Sequence, residues 1–253
     1  MVKIFVISNQ KGGVGKTTTA SALISGLTSR KKKVLGIDLD PQGSLGFSFG
    51  VDIESGHSIY DVFCGRVKAE EAIRKTANGD ILISNILLSG AELEFSHSGR
   101  EFMLRDAIAD IKKNYDYIFI DTPPALNILT VNAYTAARLL IIPMVPDILS
   151  LLGISQLKET ITTVKKFYNN KLQVYGILLT RYNKRMNLTR DVEEMTVEIA
   201  NQLGTVVLPP RIRNNVSVAE APAHGESVLT YNPNCNAALD YRSLVDYIID
   251  YEV

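Results

Sequence analysis

The chain has 253 residues, 46% of them hydrophobic, a length and apolar content that fit one large α/β domain spanning 1–253. Its 27 basic residues balance 27 acidic ones, so global charge cannot drive nucleic-acid binding and any such contact needs a local patch. No apolar run reaches the roughly 18 residues of a membrane-spanning helix.

The first apolar run, Val2–Ile7, predicts a strand, with no signal peptide and no separate DNA-binding domain expected ahead of it. Lys11-Gly12-Gly13-Val14-Gly15-Lys16-Thr17-Thr18 follows at once and reads as a phosphate-binding loop. Glycines let backbone N–H groups crowd around phosphate oxygens, and a helix starting near Lys16 aims its free N–H groups at the anion. Lys16 is placed to reach the β- and γ-phosphates, and the Thr17 hydroxyl to bind Mg²⁺. The loop departs from the general G-x-x-x-x-G-K-[ST] rule: Gln10 stands where the first glycine is expected, and a second lysine, Lys11, opens the loop.

Thr17–Ser29 carries helical periodicity, and Lys31-Lys32-Lys33 reads as a solvated turn before the strand Val34–Ile37. Asp38-Leu39-Asp40-Pro41-Gln42-Gly43 ends that strand. Strand C-termini of a parallel sheet converge on the ligand crevice, so both carboxylates belong beside the loop. Asp38 is a candidate for organising water around Mg²⁺, and Asp40 for positioning the attacking water. Residues 40–78 read as short helices and loops, followed by a strand at Ile81–Ile83 and a helix at Arg100–Lys113. The run Tyr117–Ile120 predicts a strand ending in Asp121-Thr122-Pro123-Pro124, a Walker B pattern in which Asp121 holds Mg²⁺.

Strands are predicted at Leu139–Ile142, Val174–Leu179 and Val206–Leu208, with helices at Leu151–Tyr168 and Thr189–Leu203. Continuous apolar strands alternating with helices predict a doubly wound, mostly parallel sheet with helices on both faces. Cys64 and Cys235 form no metal spacing and read as inert thiols in a reducing cytoplasm; His57, His97 and His224 are too dispersed for a metal site.

The loop with its second lysine resembles the deviant Walker A of the ParA/MinD family of P-loop ATPases. Asp38–Gly43, Asp121–Ala133, Ser58–Val62 and Glu220–Gly225 also look like signatures of ParA-type partition ATPases, in the expected order from end to end. Soj-like chromosomal members and short plasmid members fit best. The resemblance implies Mg²⁺-dependent ATP hydrolysis with Lys11, Lys16 and Asp40 as catalytic residues. It implies a dimer with two nucleotides sandwiched at its interface, Lys11 crossing to the partner's nucleotide as an arginine finger does. It implies non-specific DNA binding by that dimer, stimulation by a ParB-type partner, and a cytoplasmic, nucleoid-associated protein. The nucleotide would contact Lys11 through Thr18, that is Lys11, Gly12, Gly13, Val14, Gly15, Lys16, Thr17 and Thr18. Thr17, Asp38 and Asp121 would hold Mg²⁺.

In this family the segment Arg181–Arg185 borders the adenine. Arg181 lies against the base or stays solvated, and Pro209–Asn215, with Arg213, forms the other wall. Lys184, Arg185 and Arg211 are candidate DNA contacts or a solvated basic face. Ser217 stands where the resemblance places another DNA-contacting arginine. Among rivals, a MinD-like membrane-positioning ATPase is opposed by the acidic ending Asp246–Val253. An iron-protein reductase needs cluster-binding cysteines, which Cys64 and Cys235 do not supply, and the Glu220–Gly225 match weighs against a synthetase. An orphan relative that positions a protein complex shares every motif.

Overall fold

The computed structural model describes residues 2–251. Seven strands form one sheet in the order β3-β4-β2-β5-β1-β6-β7. They are β1 (Lys3–Ile7), β2 (Val34–Asp38), β3 (Ile73–Thr76), β4 (Gly79–Leu82), β5 (Tyr117–Asp121), β6 (Leu139–Met144) and β7 (Gln173–Leu179). All neighbours pair in parallel except β3 with β4. The longest helices are α1 (Lys16–Ser29), α2 (Ile128–Ala136), α3 (Ile148–Phe167), α4 (Asn187–Gln202) and α5 (Asn236–Asp250).

The doubly wound arrangement follows from strand alternation. Phe5, Ile7 and Phe119 point to one face, where Ala20, Leu23, Ile24 and Leu27 of α1 and Tyr241, Leu244 and Ile248 of α5 cover them. Ile4, Val6, Ile118 and Ile120 point to the other, against Leu129 and Ala133 of α2 and Ile154, Leu157 and Ile161 of α3. Successive residues thus feed two cores, which is why these strands read as continuous apolar runs.

Three expectations need correction. Val206–Leu208 makes only an isolated bridge, Val207 with Ile177; Pro209 and Pro210 supply no N–H to extend the ladder. Arg100–Lys113 is broken into a 3₁₀ turn (Arg100–Phe102), a short helix (Met103–Ala107) and a second 3₁₀ turn (Lys112–Asn114). Buried Asn132 competes for that backbone, accepting from Leu104 N at 3.0 Å and donating to Arg100 O at 2.8 Å. Strand β3 lies within residues read as loops and short helices. It is a charged edge hairpin, Ile73-Arg-Lys-Thr, closed by the two-residue turn Ala77-Asn78, with Gly79 opening β4 at φ 127°.

Helix α5 is not among the helices predicted above, although Ala237, Ala238, Tyr241, Leu244, Val245 and Ile248 recur at helical spacing and are buried. The acidic ending Asp246–Val253 includes two residues, Glu252 and Val253, outside those described; Asp246 and Asp250 close α5.

Candidate nucleotide and metal site

The loop Lys11–Gly15 joins β1 to α1 on the side where the parallel strands end. Its turn requires left-handed backbone at Gly13 (φ 71°) and Gly15 (φ 87°), the latter being the residue before the first turn of α1. Asn9 braces the loop, accepting from Lys11 N at 3.0 Å while donating to Pro143 O at 2.7 Å. Thr180 ties down its far side, donating to Val14 O at 2.8 Å. The first turn of α1 therefore presents its free N–H groups into a braced anion cradle.

The acidic side is assembled by strand register. Asp38 and Asp121 are direct partners at the ends of β2 and β5, and both are fully buried. Asp121 Oδ2 accepts from the Thr17 hydroxyl at 2.6 Å, while its Oδ1 is buried without a hydrogen-bond partner. Burial pushes the Asp121 carboxyl up to about 7, against the Thr17 hydrogen bond and the Lys16 charge. Asp38 accepts from Asp40 N and Leu45 N, both at 2.9 Å. Burial, and then the neighbouring Asp121, still hold it well above the ordinary carboxylate range. Lys16 is 7% exposed and donates to Lys11 O at 3.1 Å. Burial lowers its pKa, while Asp121 and Asp40 oppose that shift. One buried cation thus faces two buried carboxylates and half-buried Asp40, a crowding that strongly favours a bound cation.

A hard divalent cation fits this donor set. An orphaned carboxylate oxygen, a second buried carboxylate and the Thr17 hydroxyl offer oxygen ligands only. Among the described residues no group of three His, Cys, Asp or Glu side chains is ready to hold a metal unaided. That suits Mg²⁺, which keeps waters and takes phosphate oxygens in place of a protein cage.

Lys11 points elsewhere. Its Nζ donates to Asp147 Oδ1 and Oδ2 at 2.8 and 2.6 Å and to Ser150 Oγ at 3.3 Å. Asp147 also caps α3, accepting from Ser150 N at 2.9 Å. Sequence reasoning missed Asp147, although an Asp followed by an apolar helical run is a readable cap signal.

Beside Gly15 and Thr18 lies a cavity of about 200 Å³ walled by Val14, Arg181, Asn214, Val218 and Tyr241. Arg181 adopts φ 48°, and its guanidinium reaches 3.9 Å from the place a Gly13 Cβ would occupy. Arg213 lines the same cavity, but its guanidinium is held by Asp240 of α5 at 2.6 and 2.8 Å. It contributes backbone wall more than a free cation. Lys184 and Arg185 are exposed on the turn between β7 and α4. Arg211 is apart from them in its bonding: it pairs with Glu193 at 2.6 Å and donates to Pro209 O at 2.9 Å. Ser217 is buried and accepts from Asn232 Nδ2 at 3.0 Å, leaving no room there for an arginine.

Comparison with known proteins accords with this geometry. Residues 2–174 match a family model described as an AAA domain. The sporulation initiation inhibitor protein Soj of Bacillus subtilis is 38% identical over 251 residues, covering 96% of this chain and 97% of Soj. The chromosome partitioning protein ParA of Caulobacter vibrioides is 37% identical over 257 residues, 99% of this chain and 95% of that protein. A crystal structure of cobyrinic acid a,c-diamide synthase from Mycobacterium smegmatis with bound ADP and magnesium superposes with a TM-score of 0.86. It is 33% identical, over 99% of this chain and 95% of that one. With its deviant phosphate loop, paired strand-end carboxylates and near-full-length relatives, the chain belongs to the ParA/Soj family of P-loop ATPases.

Proposed function

We propose that this ATPase is a partition protein, an ATP-gated dimer that holds non-specific DNA and is reset by hydrolysis with a ParB-type partner. The observation that carries the reading is the convergence of Lys16, Thr17, Asp38, Asp40 and Asp121 on one braced loop, with a second lysine at its rim. ATP and Mg²⁺ are its cofactors. Thr17 and Asp121 would hold Mg²⁺, with Asp38 ordering its water, and the bound ion would supply charge neutralisation for the transferring phosphoryl group. Lys16 neutralises phosphate charge from inside the loop. Asp40, half-buried on the turn after β2, orients the attacking water.

Dimerisation is supported by apolar side chains around the same rim. Ile86, Leu87, Leu126, Ile148 and Leu149 are exposed on segments that follow the ends of β4, β5 and β6. A partner covering them would bury apolar surface and bring its own Lys11 to the nucleotide. The DNA contact rests on Lys184 and Arg185. No helix among the described residues is long and apolar enough to cross a membrane.

The test is retention on non-specific duplex DNA with ATP, with ADP and without nucleotide, across a salt series. Salt-sensitive retention that rises with ATP supports the partition reading. ATP-dependent dimers that ignore DNA in every state would leave the ATPase but move its cargo to a protein complex. A second reading, an amide-forming synthetase, is favoured by the similarity to the diamide synthase. Hydrolysis unaffected by DNA and coupled to amidation of an added carboxylic acid would favour it.

A further inference from the structure

The pole of the sheet opposite the nucleotide site carries charged residues at the starts of four neighbouring strands. Lys33 precedes β2, Asp116 precedes β5, Lys3 opens β1 and Arg138 precedes β6. Their backbones are laced together edge to edge. Asp116 N donates to Lys33 O at 2.8 Å, Lys3 N to Asp116 O at 3.0 Å, and Arg138 N to Ile4 O at 3.0 Å. Three strand intervals separate the first from the last, a span of about 14 Å. Lys112 and Lys113 stand beside this row on the 3₁₀ turn that leads into β5.

The row lines a trough. A cavity of about 750 Å³ is bordered by Lys32, Lys112, Lys113 and Arg138, with Asp116 its one carboxylate; Lys3 also borders it, but its Nζ is buried over the Tyr117 ring. An adjoining cavity of about 350 Å³ shares Lys32 and Tyr115, and adds Lys33 and Lys75 together with Glu70 and Asp80. Two of the three carboxylates are engaged. Asp80 accepts from the Tyr115 hydroxyl at 2.8 Å, and Asp116 from Lys33 N at 2.8 Å.

The cations are not engaged in the same way. Lys32, Lys33, Lys75, Lys112, Lys113 and Arg138 enter no side-chain ion pair among the described residues, whereas Arg30, Arg66, Arg100, Arg105, Arg211 and Arg213 each do. This pole thus gathers six cations that form no ion pair among the described residues. None of the exposed large apolar side chains lines the trough, and the half-buried Tyr115 that does is fixed by its hydroxyl to Asp80. A protein partner needs an apolar or aromatic anchor, and a bilayer needs side chains to insert. A phosphodiester backbone needs only a line of cations.

We infer that this trough is a second nucleic-acid contact, binding the phosphate backbone of a duplex independently of nucleotide. It lies away from Asp40 and the phosphate loop, so ATP has no direct means of altering it. In a dimer joined through the nucleotide rim, the two troughs sit at the outer poles and give the assembly contacts that persist when the ATP-gated ones release.

The experiment is fluorescence anisotropy of a short labelled duplex DNA across a salt series, without nucleotide, with ADP and with ATP. Wild type is compared with the triple variant Lys112→Glu/Lys113→Glu/Arg138→Glu and with Arg185→Glu. Wild type should show weak, salt-steep binding without nucleotide. The triple variant should lose at least about tenfold of it, and the slope of log K against log salt should fall by about two to three, near 0.9 for each phosphate contact removed. ATP affinity of the variant should be unchanged, which reports an intact fold. Arg185→Glu should retain the nucleotide-free binding and lose the ATP-dependent part, so failure of either contact is seen separately.

No nucleotide-free binding by wild type would overturn the inference. So would a triple variant that binds as wild type does. A lowered Tm with unchanged DNA binding would assign the cations to the carbonyl ends of α1 and α2 instead. Competition by polyglutamate as strong as by duplex at equal charge would overturn the nucleic-acid assignment.

Discussion

Lys11 is joined to Asp147 of its own chain, with both carboxylate oxygens within 2.8 Å of Nζ. The same carboxylate caps α3. Burial works against the Asp147 charge, but the hydrogen bonds from Lys11 and Ser150 hold its carboxyl below the ordinary range. A lysine tied in this way must be released before it can serve a nucleotide on another subunit. The pair is about a third exposed, so its cost is modest and ATP-driven association can overcome it.

Removing the lysine separates binding from turnover. Lys11→Ala is expected to keep ATP affinity within a few-fold while hydrolysis at dimer-forming concentrations drops by about 10³, the scale of a charge supplied in trans. Isothermal titration and a phosphate-release assay read the two quantities; wild-type turnover would remove Lys11 from the reaction. Asp147→Asn should free Lys11 and lower the protein concentration at which ATP dimers form. Sedimentation velocity checks this, and an unshifted midpoint would show that the pair does not oppose association.

Asp40 is half-buried on its turn and accepts from Gln42 N at 3.1 Å, leaving the carboxylate free to turn toward a γ-phosphate. Asp40→Ala should bind ATP and accumulate a dimer that hydrolyses at least about 10²-fold more slowly. Size exclusion with ATP showing only monomer would count against its placement beside the attacking water.

Lys184 and Arg185 are free of the ion pair that restrains Arg211. Arg185→Glu should weaken ATP-dependent DNA retention about tenfold and reduce the salt slope by about one, with ATP affinity intact. Unaltered retention in a filter-binding series would take Arg185 out of the DNA face.

The buried carboxylates make the ligand-free protein pH-sensitive. Asp121 titrates near 7 when folded but near an ordinary carboxylate when unfolded, so the folded form is the one that holds the proton more tightly. Stability from that proton is complete below the unfolded pKa and is lost as pH rises through about 7. The ligand-free Tm should fall from about pH 4 to about pH 7 and level off above that, and Mg²⁺ with ADP should remove most of the fall. Asp121→Asn should raise the ligand-free Tm at pH 8 while abolishing Mg²⁺-dependent hydrolysis. Calorimetry across pH decides; a flat ligand-free profile would mean that Asp121 is already ionised in the fold.

Gly225 sits at φ 65° against Gly50, also left-handed, and a Cβ at Gly225 would come within 2.7 Å of Gly50 Cα. The obstruction is backbone, so it cannot move aside cheaply. Gly225→Ala is expected to cost on the order of 2 kcal/mol in urea unfolding and to shift the loop that follows Asp40. Wild-type stability would show that the two turns separate easily.

Much of this molecule is legible without coordinates, because its signals are local. A strand buried on both faces must be apolar throughout, so Val34–Ile37, Tyr117–Ile120 and Leu139–Ile142 announce themselves. A loop that wraps phosphate needs glycines before a lysine and a threonine, and Lys11–Thr18 shows them in order. Asp38 and Asp121 are conspicuous as acids that end apolar runs. What the residues do to each other depends on register and on who is near in space. Asp38 and Asp121 lie 83 positions apart in the chain and become neighbours only because β2 and β5 pair in parallel. Lys11 meets Asp147 across 136 positions, and Arg211 is withdrawn from the basic face by Glu193 of α4. The trough at the far pole was hidden for the same reason: Lys33, Lys113 and Arg138 are scattered in sequence, and the parallel sheet brings them to one end. Local chemistry settled which elements form and where a phosphate loop can sit; long-range pairing decided which charges are spent within the fold and which are left unpaired.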